Sequence, residues 1–300
     1  MESKHEKEMI LMADINTQRV PVTDDYMFAY VMRHKDICTR VLQCLLPKIG
    51  IKRIAYKDEN GPETQKTIQG SIDARSIRLD VYVDDSEKVC NVEMQTGTRT
   101  NLPKRSRFYG GAIDCDNLKK SQDYNQLKPT YVIFICTFDL FGRGQYIYTF
   151  ENRCEEEEDL KLNDGSYKIF INTKGTKGNI SDELKELLAY FNDPAETMET
   201  AKTELVREID EVVDHANQDA DWRRGYMTFM QAQMDAINLG RVEGRAEGRA
   251  EGRVEGKVNT LINNVRSMVK NLNMTVETAL TVLDANESDR KIVLSTIYGN

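Results

Sequence analysis

The chain has 300 residues, 40% of them hydrophobic and 30% charged, which is the balance of a folded globular protein and excludes a disordered or membrane-embedded chain. Its formal net charge of −8 excludes a protein that coats nucleic acid through overall positive charge, but not one that binds it through a local basic patch. Its six cysteines stand singly without a CxxC pair and it has only three histidines, so no zinc-binding pattern is present and free thiols in a reducing cytoplasm are expected.

Residues 1–20 read as a poorly ordered or weakly helical tail. Its opening, MESKHEKEMILMADINTQ, is charged and lacks the apolar stretch of a secretory leader. Thr23 or Asp24 then caps a helix predicted to run to about Leu46, stopped by Pro47. Phe28, Val31, Met32, Val41, Leu42, Leu45 and Leu46 recur along it at helical spacing and give one buried stripe. Asp25 falls in the first turn, where a carboxylate meets the positive end of the helix dipole. It reads either as part of the cap or as a ligand. Ile51 to Tyr56 and Ile68 to Arg75 are weaker strand candidates on either side of the turn-rich DENGPET.

Ser76 to Gln95, SIRLDVYVDDSEKVCNVEMQ, reads as a β-hairpin. Ile77, Leu79, Val81 and Val83 alternate with Arg78, Asp80 and Tyr82, the period of a half-buried strand, and the polar DDSE supplies the turn. In the second arm Cys90, Val92 and Met94 alternate with Asn91, Glu93 and Gln95. Glu93 and Gln95 therefore share a face, and closing the hairpin puts Asp80 on that face across from Glu93. Like charges opposed across strands are destabilising, so either the face is simply solvated or a cation binds there. Asp is depleted in strands and an acid in an apolar strand costs desolvation, which favours the cation. All-oxygen ligands suit Mg²⁺, Mn²⁺ or Ca²⁺.

Thr98 to Lys120 carries Arg99, Lys104, Arg105, Arg107, Lys119 and Lys120 against Asp114 and Asp116, so positive charge is concentrated there. Pro103 suits the first turn of a helix reaching about Leu118, with Arg105 and Tyr109 one turn apart. On the functional reading Arg105, helped by Lys104 and Arg107, grips phosphate while Tyr109 packs on sugar or base. Otherwise this is a basic solvated helix face. Gly110 and Gly111 cost about 1 kcal/mol each relative to Ala in mid-helix, so a close approach of another backbone, or of the strands beneath, is expected. TYVIFICTF, from Thr130, is apolar throughout and predicts a strand covered on both faces. Gln145 to Phe150 and Tyr167 to Asn172 read as further strands around an acidic insert, and Ser181 caps a helix to Phe191.

From Pro194 the chain reads as helix only. Residues 194–239 form a helical extension, in which Trp222 and the YMTFM run are packing residues. Residues 240–257 repeat every four, GRVE GRAE GRAE GRVE GK. Four residues turn an α-helix about 400°, so Gly, Arg and Glu each form a slowly drifting stripe. Like charges four apart weaken a lone helix, whereas a second copy can set its Glu stripe against this Arg stripe. The segment is either a self-association helix or a charged flexible linker. Residues 258–300 read as a small helical module with the stripe Leu261, Val265, Met268, Val269 and Leu272, followed by Val276, Leu280 and Leu283.

Together, Asp25 and Phe28 (VTDDYMF), Asp80 (IRLDVYV), Glu93 and Gln95 (NVEMQ), Arg105 and Tyr109 (KRSRFYGGAID) and Tyr124 (DYNQL) resemble the PD-(D/E)XK nuclease superfamily. More narrowly the chain is similar to the Rpn family of recombination-promoting nucleases, also labelled transposases, over about Pro21 to Asn192. The resemblance implies an α/β nuclease core at residues 21–193, a central mixed sheet flanked by helices, followed by an all-helical C-terminal region. It implies a cytoplasmic, metal-dependent DNA endonuclease of bacterial recombination, mobile-element or phage-defence contexts. Asp80, Glu93 and the carbonyl of Met94 would hold the cation, Mg²⁺ first and Mn²⁺ or Ca²⁺ as alternatives. Asp25 would be an additional acid. Gln95 stands where the wider superfamily has lysine, so it would orient a water rather than ionise it. Lys104, Arg105, Arg107 and Tyr109 would contact DNA, and the C-terminal helices would make a homodimer or higher homo-oligomer. The rival reading is a catalytically weak nuclease fold that binds DNA or protein through those helices.

Overall fold

The computed structural model describes residues 18–47, 49, 63–68, 77–84, 87–97 and 100–299. The Asp24 carboxylate accepts hydrogen bonds from the N–H groups of Tyr26 (2.9 Å) and Met27 (3.2 Å) and so starts helix α1, Asp25–Met32. The single helix expected to reach Leu46 is in fact two. The N–H groups of Arg33 and His34 turn back to the carbonyls of Tyr30 and Val31, His34 becomes extended, and α2 runs Lys35–Leu45. The break falls where the sequence is polar, so the apolar stripe continues on both sides of it, through Phe28, Val31 and Met32 and then Val41, Leu42 and Leu45.

Six strands form one sheet: β1 (Glu63–Ile68), β2 (Ile77–Asp84), β3 (Val89–Gln95), β4 (Thr130–Cys136), β5 (Ile147–Phe150) and β6 (Ser166–Asn172), in the order β1-β2-β3-β4-β6-β5. β1, β2 and β3 pair antiparallel, β3, β4 and β6 parallel, and β5 closes the far edge antiparallel. β1 overlaps the stretch read as a turn. As an edge strand with the polar sequence ETQKTI it has no apolar alternation to reveal it. The strand read at Ile51 to Tyr56, and all of Ile68 to Arg75 except Ile68, lie outside the described residues. β4 is buried at every position, as its unbroken apolar run predicts.

Helix α3, Leu102–Asn117, crosses between the parallel strands β3 and β4. It buries Leu102, Tyr109 and Ile113 against Val132, Phe134 and Phe170 of the sheet. The close approach expected at its two glycines is not there. A Cβ on Gly110 would touch only Val132 Cγ2, at 3.9 Å, and one on exposed Gly111 would meet nothing within 4 Å. Gly111→Ala is therefore expected to raise stability by about 0.5–1 kcal/mol, read from the urea midpoint at unchanged m-value.

Helices α4 (Asp182–Asn192), α5 (Pro194–Thr200) and α6 (Glu204–Gln218) follow the sheet. Arg19, from the segment read as tail, is paired with Asp210 and Asp214 on α6. Helix α7 spans Ala220–Leu272, 53 residues. In its first two turns Trp222 stacks on Tyr226, with ring centroids 5.4 Å apart, and tilts against Tyr26 and Tyr30 of α1. The Tyr226 hydroxyl donates to Asp24 Oδ2 at 3.2 Å. Gly225 permits this seat: a Cβ there would lie 2.6 Å from the Tyr26 hydroxyl.

The chain divides into two compact units, residues 1–227 and 228–300. In the second, α8 (Val276–Val282) is capped by Thr275 and α9 (Glu287–Tyr298) by Asn286. Val258, Ile262, Val265, Val276, Ala279, Leu280 and Val293 form its core. Leu272, read as part of that stripe, is exposed. The GRxE repeat is helical and exposed along its length, and a Cβ at Gly240, Gly244, Gly248, Gly252 or Gly256 would meet nothing within 4 Å. Cys38, Cys44, Cys90 and Cys136 are buried. Among the described residues no helix is long and apolar enough to cross a membrane.

Candidate active site

The hairpin's two arms pair from Asp84↔Val89 to Val81↔Val92, so the next step brings Asp80 beside Glu93. There the side chains take over from the backbone ladder. The Asp80 N–H donates to Glu93 Oε1 (3.2 Å) and the Met94 N–H donates to Asp80 Oδ2 (3.3 Å). The Met94 carbonyl points to the same side of its strand as the N–H, hence toward Asp80. Asp80 is 9% exposed and Glu93 2%, so two carboxylates are withdrawn from water on neighbouring strands.

Alternation along β3 puts Asn91, Glu93 and Gln95 on one face, and α3 covers that face. Asn91 Nδ2 donates to Glu93 Oε1 at 3.0 Å. From α3, Arg105 reaches down with its planar fork: Nη2 donates to Glu93 Oε2 (3.1 Å) and Nη1 to Gln95 Oε1 (3.0 Å). Gln95 Nε2 in turn donates to the Gly97 carbonyl at 3.1 Å, which fixes the amide. The guanidinium lies over the rings of Tyr109 and Phe134, 5.1 and 5.3 Å from their centroids, and Nη2 also donates to the Tyr109 hydroxyl at 2.9 Å. Burial pushes the Glu93 carboxyl up to about 7, against the hydrogen bonds from Asn91 and Asp80 and the Arg105 charge, while the Asp25 charge adds to the rise.

The structure thus brings Asp80, Glu93, Gln95 and Arg105 into one network. It treats the other predicted residues differently. Tyr109 is buried, its ring stacked on Phe134, so its ring faces the core instead of a solvent-side sugar or base, and its hydroxyl supports Arg105. Lys104 and Arg107 are exposed on α3, and Arg99 lies outside the described residues. Asp25 is exposed at the start of α1. Its charge is felt at Glu93, but among the described residues no three acidic, His or Cys side chains are gathered to hold a metal. Asn91 was not singled out from the sequence, although its place two residues before Glu93 is the signal that puts it on the same face. It is fully buried, and among the described residues its Oδ1 has no hydrogen-bond partner.

The donor set fits a hard divalent cation: carboxylate, amide and backbone oxygens with no sulfur or imidazole. The network already accommodates positive charge, since the Arg105 guanidinium sits on both Glu93 and Gln95. Neither the curated proteins nor the solved structures searched give a match to this chain. The model of a family described as "PD-(D/E)XK nuclease family transposase" matches residues 23–241, a span from the start of α1 into α7 that includes the whole sheet and this network. The chain belongs to that family.

Proposed function

We propose that the protein is a metal-dependent DNA endonuclease whose cation is held by Asp80, Glu93 and the Met94 carbonyl, Mg²⁺ being the first choice and Mn²⁺ or Ca²⁺ the alternatives. The observation that carries this reading is the pair of buried carboxylates on adjacent strands, in which Glu93 accepts from the Asp80 N–H and the Arg105 guanidinium while Asp80 accepts from the Met94 N–H. A cation bound there would polarise the scissile phosphate and lower the pKa of an attacking water. Gln95, held from both ends of its amide, orients that water. Arg105 neutralises phosphate charge, and exposed Lys104 and Arg107 on the same helix attract the DNA backbone. Asp25 contributes a further negative charge that is felt at Glu93. Family membership supports a nuclease or transposase-like role, and recombination, mobile elements or phage defence are the contexts it suggests.

Nicking of supercoiled plasmid, assayed separately with Mg²⁺, Mn²⁺ and Ca²⁺, tests the reading. Absence of cutting with all three would favour a second one, a nuclease fold that binds DNA or protein without cleaving. What supports that second reading is Gln95 in the lysine position, together with the commitment of both Glu93 and Gln95 to Arg105.

We also propose that the GRxE helix joins two copies of the chain, the Arg stripe of one against the Glu stripe of the other. Among the described residues nothing comes within 4 Å of a Cβ placed on the five exposed glycines, which supports close approach by another helix. Sedimentation of the full chain should give a multiple of the 34.4 kDa protomer. A version ending at Leu239 should sediment as a monomer, and unchanged association after that truncation would sink the idea.

A further inference from the structure

We propose that Arg105 is a charge latch that competes with the cation for Glu93 and Gln95 and so sets how tightly the site takes metal, an inference that rests on the metal site just described. Three features of the geometry lead to it. First, Glu93 Oε1 already accepts from the Asp80 N–H and from Asn91 Nδ2. The oxygen with capacity left is Oε2, and that is the one Arg105 holds. A cation reaching Glu93 therefore arrives at an oxygen occupied by a like charge.

Second, the two partners differ in their freedom to move. The Glu93 side chain is 3% exposed and that of Arg105 is 26% exposed. The guanidinium can withdraw toward water, whereas the carboxylate has no solvent to turn to. Third, the fork holds Glu93 and Gln95 together, so its withdrawal frees both in one step. The Tyr109 hydroxyl, one helical turn along α3, remains as a partner for Nη2. Cation entry and release of the guanidinium toward a phosphate are then two sides of one exchange: metal favours the freed arginine, and the seated arginine disfavours metal.

This makes a prediction opposite in sign to that for an arginine that merely supports the fold. Removing a structural support disorders Glu93 and weakens metal binding, whereas removing a competitor tightens it. The test is isothermal titration calorimetry of Mn²⁺ into the full-length protein and into the variants R105M, R105K, Y109F and E93Q. Thermal melts with and without Mn²⁺ establish that each one folds. R105M is expected to bind Mn²⁺ about tenfold tighter than the parent protein, a gain of roughly 1.4 kcal/mol. R105K, which keeps the charge and loses the planar fork, should fall between them, and E93Q should lose binding. Y109F loosens the latch without removing its charge and should tighten binding slightly. It carries the test if R105M does not fold.

Equal or weaker binding by a folded R105M, or by Y109F if R105M is unfolded, with binding still lost in E93Q, would overturn the latch and leave the metal site standing. Binding that survives in E93Q, or that is missing from the parent protein and every variant, would overturn both.

Discussion

Alanine at Asp80 or at Glu93 is expected to lower metal-dependent nicking by about a thousandfold or more, the two largest losses of any single side chain in the molecule. Each carboxylate supplies charge that no neighbour replaces, because Gln95 and the Met94 carbonyl are neutral. Both alanine variants should also lose stability. Asp80→Ala leaves the Met94 N–H without its acceptor, which costs about 1–3 kcal/mol if water does not reach it. Asp80→Asn keeps an oxygen for that N–H and removes the charge, so it should melt close to the parent protein and still fail to cut. Glu93→Ala removes an acid that burial disfavours and leaves an Arg105 exposed enough to rehydrate, but it also takes the acceptor from the buried Asp80 N–H and Asn91 Nδ2, at a similar cost. Plasmid nicking beside circular-dichroism melts makes the comparison. Full cutting by folded Asp80→Asn and Glu93→Ala would show that the chemistry lies elsewhere.

The second large effect is on stability against pH in the presence of a chelator. Burial lifts the Glu93 carboxyl from 4.5 to about 7 in the folded chain. Between those values the folded protein holds a proton that the unfolded chain releases, so ν_U − ν_N is negative and stability falls as pH rises. The contribution is fully present below about pH 4.5 and is lost as the pH rises through about 7. Asp139 acts oppositely and in another window. There burial is outweighed by hydrogen bonds from the Gly144 N–H and the Tyr148 hydroxyl, so its carboxyl lies below the ordinary range and its contribution fades only in stronger acid. Urea unfolding at pH 5, 6, 7 and 8 with EDTA should show the decline, and Glu93→Gln should flatten it. A parent curve that rises across this interval, or an unchanged slope in the variant, would contradict the account.

The hairpin was legible in the sequence because its signal is local. Alternation in IRLDVYV and NVEMQ determines which residues share a face, and the short DDSE turn leaves little choice of register. The buried β4 strand and the Ser181-capped helix were legible for similar reasons, an unbroken apolar run and an N-cap followed by acids. What Arg105 holds was not. Periodicity places it one turn from Tyr109 on a basic helix, but only tertiary packing decides whether that face meets solvent or descends onto Glu93. Tyr109 was misread in the same way: an aromatic beside arginines reads as a surface for ligand, and the fold uses it as floor. Edge strand β1 carried no apolar pattern, and the break at His34 left the buried stripe intact, so neither had a signal to detect.

Asp24 has two duties with different tolerances. One carboxylate oxygen caps α1 and the other anchors Tyr226 at the start of α7, 202 residues away in the chain. Serine and threonine are good caps on their own, but each has a single oxygen and a shorter reach, so they satisfy the first duty at the expense of the second. The first turns of α7 are thereby tied to the residue next to Asp25, and a shift of those turns along their axis pulls on the cap as well as on the Trp222 and Tyr226 rings packed against Tyr26. The beginning of the last long helix is thus tied, through the neighbouring residue, to the acid whose charge is felt at Glu93.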